Sequence, residues 1–185
     1  MNKESILIPE KSTLSSVYEF CMIDNPYEIT TNTDKLMIEA FKEIIKWHTQ
    51  RNPFYKKFLA ANGFSVEDLN SVEDLHKLPF LHANFFKLHE IPSIEQDKIF
   101  LRLTSSGTTG QKSQMFFDEW SIKIGRRMVD TIFDYYGFDT PESEVNYLLY
   151  AYEPVENFAV GTTNTNVFLT SYAKPKNIRF ALRNY

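Results

Sequence analysis

Cysteine is almost absent from this chain. Cys21 is the one cysteine in 185 residues, which excludes an intrachain disulfide framework and fits a reducing compartment. Long apolar runs are missing as well. The residues after Lys3 lack the apolar stretch of a secretory leader, and nothing approaches the length of a membrane span. Basic residues form no cluster: 20 Lys and Arg stand against 24 Asp and Glu, for a formal charge of -4. Without a basic face, nucleic acid is not an expected partner. The 4 histidines show no zinc-ligand spacing backed by cysteine or carboxylate, so no metal site is expected. No Gly-x-Ser-x-Gly elbow is present, which removes the nucleophile of a serine hydrolase. No internal repeat or low-complexity linker interrupts the chain. The expected class is a cytoplasmic protein.

What is there is a core. With 43% hydrophobic and 15% aromatic residues, the chain can bury a substantial interior, either as one domain or as part of a larger one. Residues 1–33 are mixed and read as an irregular N-terminal arm with a short helix over 14–22. From Thr33 or Asp34 a helix is expected, because Met37, Phe41, Ile44, Ile45 and His48 recur at three or four residues. Pro53 ends it, and a second helix over 54–62 stops at Gly63. Ser65 and Ser71 open two further short helices that place Leu69, Leu75 and Leu78 inward. Phe80, Phe85 and Phe86 are expected to pack in the core, the alternative being that some of them line a ligand pocket. Among the histidines, His48 falls on the core face, His82 near that pocket, and His76 and His89 at the surface.

The richest segment is Ser105, Ser106, Gly107, Thr108, Thr109, Gly110, Gln111, Lys112, Ser113. Its glycines allow backbone N–H groups to turn toward one point, and its hydroxyls and ammonium add donors to the same anion. This composition suits the phosphates of a nucleotide, which makes ATP the expected ligand. The alternative is a surface turn with no ligand. The Gly-x-x-x-x-Gly-Lys-Ser/Thr loop is not matched: Gln111 separates Gly110 from Lys112, and Ser105 stands where the first glycine belongs. Apolar runs over 98–103 and 114–117 flank the segment and predict strand, glycine hairpin, strand. Residues 120–136 form the clearest helix, with Ile124, Met128, Ile132 and Tyr135 or Tyr136 on one side, Arg126 and Arg127 on the other, and Gly137 at its end. Residues 145–152 read as a buried strand and 166–170 as another, so a parallel α/β layer is expected.

The loop resembles the phosphate-binding motif of the adenylate-forming acyl-CoA synthetase superfamily. Upstream, Asn52, Pro53, Phe54, Tyr55, then Leu69, Leu75, Leu78, Pro79, Phe80, are similar to the lead-in of phenylacetate-CoA ligases and of the acyl-protein synthetases (LuxE type, the long-chain-fatty-acid luciferin-component ligases). Asn84, Phe85, Phe86 and Lys87 match the second group better. The resemblance covers about residues 45–180. Lys112 and Ser113 depart from it, standing where many relatives have proline and then Lys or Thr.

The resemblance implies ATP and Mg2+ as cofactors and a fatty or aryl carboxylic acid as substrate. It also implies an acyl-adenylate intermediate and transfer of the acyl group to a protein cysteine, with an acyl-accepting or acyl-donating protein as partner. CoA as acceptor is the near alternative, and a non-catalytic interaction module the alternative of another class. Ser105, Ser106, Gly107, Thr108, Thr109, Gly110, Lys112 and Ser113 would hold the nucleotide phosphates. Cys21 is expected to pack, its other reading being the acyl acceptor; in the family the acceptor belongs to the C-terminal region. The superfamily's later adenine, carboxylate, ribose and lysine motifs do not occur before Tyr185. The expected architecture is therefore α/β: residues 34–185 as the N-terminal part of an adenylate-forming large domain, helices packed on a mostly parallel sheet. These 185 residues alone are expected to be inactive.

Overall fold

Thr30 starts the first long helix and Pro53 stops it. The computed structural model of the chain describes residues 13–104, 113–138, 140–153 and 161–182. Helix α2 (Thr31–Arg51) follows a short α1 (Ser15–Cys21). Thr30 Oγ1 accepts from the Thr33 N–H at 3.2 Å and Thr33 Oγ1 accepts from the Thr30 N–H at 2.8 Å. This reciprocal cap sets the start upstream of the one expected at Thr33 or Asp34. At the other end Asn52 is extended (φ -120°, ψ 98°), as a residue before proline must be. Helix α3 (Pro53–Ala61) then begins with proline in its first turn and ends at Gly63, whose φ of 66° is open to glycine at little cost.

The expected helices at Ser65 and Ser71 are short 3-10 segments, one turn at Val66–Asp68 and two at Val72–Lys77. In each, an aspartate reaches back to the cap: Asp68 to the Ser65 N–H at 3.1 Å, Asp74 to the Ser71 N–H at 2.9 Å. These turns fold over α2 and α3 and seal a core of Ile38, Ile45, Leu59 and Leu69, the last of them wholly buried.

Helix α1 cannot cap itself, because Leu14 occupies the cap position. Glu43 of α2 does it instead. Its carboxylate accepts from the N–H groups of Ser16 (2.8 Å) and Val17 (3.0 Å) and from both serine hydroxyls. The contact closes a second core of Leu14, Val17 and Ala40, against which Trp47 and Trp120 pack.

Beyond a short α4 (Phe85–Leu88) and a 3-10 turn at Gln96–Lys98, strands β1 (Leu101–Thr104) and β2 (Gln114–Phe117) pair antiparallel, from Leu101 opposite Phe117 to Thr104 opposite Gln114. Helix α5 (Glu119–Tyr135) follows directly, capped by Asp118, whose Oδ1 accepts from the Ser121 N–H at 2.7 Å. Gly137, at φ 68°, lies just past its end. Strand β3 (Thr140–Tyr152) pairs parallel with β4 (Ala173–Leu182), joined through α6 (Gly161–Leu169) and a 3-10 turn at Thr170–Tyr172.

The α/β expectation stands, with three corrections among the described residues. The sheet is two separate two-stranded ladders, one antiparallel and one parallel, in place of one mostly parallel layer. The strand expected over 166–170 is instead the end of α6 and the turn after it. The Val167-Phe168-Leu169 run is too short for its period to separate strand from buried helix, and a parallel pair needs a crossover where it lies. Strand β3 is half-covered, not buried: Val145, Tyr147 and Leu149 turn inward, while Leu148 and Tyr150 lie exposed.

Candidate functional site

Asn52 is the organising residue at the α2–α3 junction. Buried to 5% exposure, it spends its side chain twice: Oδ1 accepts from the Tyr55 N–H at 3.0 Å, and Nδ2 donates to the Ile91 carbonyl at 2.8 Å. One turn earlier on α2, His48 Nδ1 lies 2.7 Å from Ser93 Oγ. These bonds draw residues 91–93 across the helix junction. Burial, and then the positive charge of Arg51, hold His48 below the usual imidazole range.

The segment so fixed forms one wall of a cleft of about 500 Å3. Ile44 and Trp47 of α2, Phe86, Ile91, and Met115 and Phe117 of β2 are among its apolar lining, and Trp120 of α5 adds to it. No Lys or Arg lines it, and Asp118, its one carboxylate, is the cap of α5. The indole N–H of Trp120 is buried and has no hydrogen-bond partner among the described residues. Gln114 lines the cleft at the end of β2 where the hydroxyl-rich segment joins, and its Oε1 accepts from Arg102 Nη1 at 3.0 Å.

Of the residues expected to hold phosphates, Ser105, Ser106, Gly107, Thr108, Thr109, Gly110 and Lys112 lie outside the described residues. Ser113 is described, half-buried, immediately before β2. The flanking strands pair as expected, and Thr104 opposite Gln114 brings the two ends of the segment together. The three phenylalanines divide. Phe86 lines the cleft, Phe85 stacks on Phe54 with ring centroids 4.9 Å apart, and Phe80 is exposed. His48 takes a half-buried place, while His76, His82 and His89 are exposed. Asn52, Trp47, Ser93 and Trp120 were not singled out as site residues; the Asn-Pro junction was the available signal for the first.

Cys21 lies away from this cleft, on a second one of about 470 Å3 that it shares with Ile29 and Met128. Burial pushes its thiol up, away from the thiolate that a nucleophile requires. Arg127, expected on the polar side of α5, turns inward and donates to the carbonyls of Met22 (3.2 Å) and Ile23 (3.5 Å). Among the described residues no three His, Cys, Asp or Glu side chains gather as metal ligands, and no helix is long and apolar enough to cross a membrane.

Comparison with known proteins gives one family. Residues 5–145 match the family described as acyl-protein synthetase, LuxE. A long-chain-fatty-acid–luciferin-component ligase of Vibrio harveyi is 32% identical over 89 residues, covering 48% of this chain and 22% of that protein. A phenylacetate-coenzyme A ligase of Aromatoleum evansii is 29% identical over 102 residues, covering 49% of this chain and 22% of that protein. The match thus spans about a fifth of each of these relatives. A crystal structure of 2-hydroxyisobutyryl-CoA ligase in the postadenylation state is similar with a TM-score of 0.62 at 14% identity, over 83% of this chain and 32% of that one. The shared property at that identity is the fold.

Proposed function

The chain belongs to the acyl-protein synthetase (LuxE) family, and on that premise we propose that it carries the phosphate-binding part of an ATP-dependent acyl ligase. The observation that carries this reading is the β1–β2 pairing: Thr104 and Gln114 face each other across the ladder and hold the two ends of the Ser/Thr/Gly segment together. A hairpin base of this kind lets donors between the strands converge on an anion.

In the proposed reaction a carboxylate oxygen attacks the α-phosphorus of ATP, the acyl-adenylate forms and pyrophosphate leaves. A thiol then attacks the acyl carbon, a thioester forms and AMP leaves. Adenylation is needed because a carboxylate has no leaving group that a thiol can displace. Ser105, Ser106, Gly107, Thr108, Thr109, Gly110, Lys112 and Ser113 stabilise the charge that moves onto pyrophosphate. Mg2+ enters with the nucleotide, bound through the same phosphates. The similarity to the luciferin-component ligase supports a fatty acid as substrate and a protein cysteine as acceptor. The similarity to phenylacetate-coenzyme A ligase supports the second reading, an aryl or acyl acid passed to CoA. The chain acts as a soluble cytoplasmic protein, and residues 34–185 form the N-terminal part of the large domain.

The test has two readouts, ATP binding and acid-dependent pyrophosphate release, on this chain and on a Thr108→Ala/Thr109→Ala variant. Loss of the phosphate donors in the double variant is expected to abolish ATP binding, the readout that does not require turnover by these residues alone. ATP binding that vanishes in the variant supports the phosphate site, and release with one acid identifies the substrate. A chain that binds no ATP overturns the reading.

A further inference from the structure

Helix α5 is the clearest amphipathic stretch of the sequence, with Ile124, Met128, Ile132 and Tyr135 at three- or four-residue spacing, yet none of its residues is buried. Met128 is 59% exposed and Tyr135 56%. We propose that this face and the 23–29 segment beside it form a groove that docks a basic amphipathic helix of a partner protein. The inference lies at the second cleft and is independent of the ligase reading.

Two sets of contacts hold the walls of the groove together. Arg127 donates to the Met22 and Ile23 carbonyls and lies 3.5 Å from Asp24. Further along α5, Tyr135 stacks on Tyr27 with ring centroids 4.1 Å apart. Beside them opens the cleft of about 470 Å3, whose apolar lining includes Ile23, Ile29, Met37, Ile124 and Met128. Ile29 is 82% exposed. Tyr136 and Phe138, stacked at 5.9 Å and both exposed, carry the apolar surface past the end of α5.

Contiguous exposed apolar surface with a polar rim marks an interaction site, and length, backbone chemistry and charge choose the occupant. The face runs from Ile124 to Tyr135, about 16 Å at 1.5 Å per residue, which matches three turns of a second helix. A helix satisfies its own backbone, whereas an extended segment would desolvate N–H groups against mostly apolar side chains. Met37 and Met128 are side chains that adapt to a helix laid over them. Glu28 and Asp34 also line the groove, and the one cation among its described lining residues, Arg127, is already engaged. Lysines or arginines beside the apolar stripe of an incoming helix therefore meet complementary charge. The same carboxylates oppose an anionic lipid surface and a second copy of this face.

The probe is a fluorescein-labelled peptide of about 14 residues with leucine at i, i+3, i+4 and i+7 and lysine elsewhere, its counterpart a leucine–glutamate peptide of the same pattern. Anisotropy titration of the whole chain should give saturable binding of the lysine peptide. That binding should be roughly ten-fold tighter than for the glutamate peptide and should weaken as NaCl rises from about 50 to 500 mM. Ile29→Asp and Met128→Asp should each weaken it roughly ten-fold with unchanged thermal melting, and Glu28→Lys about five-fold. Tyr150→Ser, at the exposed apolar surface of β3, should leave it unchanged. Cys21, the one cysteine, lines the groove, so saturating peptide should slow its alkylation by iodoacetamide. No saturable binding, equal affinity for the glutamate peptide, indifference to Ile29→Asp and Met128→Asp, or an unprotected Cys21 would each overturn the proposal. So would a dimer in sedimentation velocity that Ile29→Asp dissociates, because a second copy would then be the occupant.

Discussion

Ser93 Oγ lies 2.7 Å from Nδ1 of His48, a residue 45 positions earlier in the chain. Together with the bond from Asn52 Nδ2 to the Ile91 carbonyl, it makes the wall of the apolar cleft an extension of helix α2.

Stability should depend on the protonation of His48. Its folded value is held below the ordinary 6.5, by burial first and by Arg51 second, so the unfolded chain binds the proton more readily. The contribution is fully present above about pH 6.5 and is lost as the pH falls through the lower folded value. Melting temperatures between about pH 5 and pH 8 should fall toward acid more steeply in the wild type than in His48→Phe. Parallel profiles would show that His48 does not carry the effect.

Asn52 offers a sharper distinction. Asn52→Ala removes a helix cap worth about 1 kcal/mol and leaves the Ile91 carbonyl without its donor, for about 1 to 3 kcal/mol more. Asn52→Asp keeps the oxygen that caps α3 but sets a carboxylate against that carbonyl. Urea denaturation should find both variants destabilised, and Asp no better than Ala. An aspartate variant as stable as wild type would mean that the cap alone matters.

Glu43 caps a helix other than its own. Glu43→Gln leaves one oxygen where two accept from Ser16, Val17 and the hydroxyls of Ser15 and Ser16. Hydrogen bonds to a charged group contribute about 1.5 to 3 kcal/mol, and a loss of that order is expected in global stability. Hydrogen exchange should show α1 amides losing protection before those of α2.

Asp74 predicts an acid limb. The hydrogen bond from Lys77, followed by the Asn70 N–H, lowers its carboxyl to about 2 from the ordinary 3.8. This contribution is complete above about pH 3.8 and disappears as the pH falls toward 2. Carboxyl NMR titration should place Asp74 well below the other aspartates, and Lys77→Met should bring it back up.

Local chemistry was legible in the sequence where a residue and its partner are close together. Pro53 ends a helix through its own ring, Gly63 and Gly137 accept a left-handed backbone, and Ser65 and Ser71 meet aspartates three residues on. Glu43 was not legible, because nothing near it in sequence says that its carboxylate will cap a helix 27 residues upstream. Arg127 was misplaced for the same reason: the carbonyls it meets lie more than a hundred residues away. The cleft was half visible. Phe86 was weighed as a pocket residue, but Trp47 and Trp120 meet only when α1, α2 and α5 pack. Leu148 and Tyr150 read as buried because a run of apolar residues does not reveal which face is covered.

The parallel pairing of β3 with β4 also sets an order of events. Helix α3 follows α2 across a single residue, and the β1–β2 ladder closes over a short connection, so both can form early. Strand β4 finds β3 only after the whole α6 crossover has been ordered, and that loop-closure entropy must be met before any ladder bond offsets it. In a refolding experiment followed by pulsed hydrogen exchange, the amides of residues 173–182 should be the last to acquire protection. The exposed apolar side chains Leu148 and Tyr150 stand beside an incomplete edge during that interval, which makes this late-forming ladder the place where the chain is most open to misassembly.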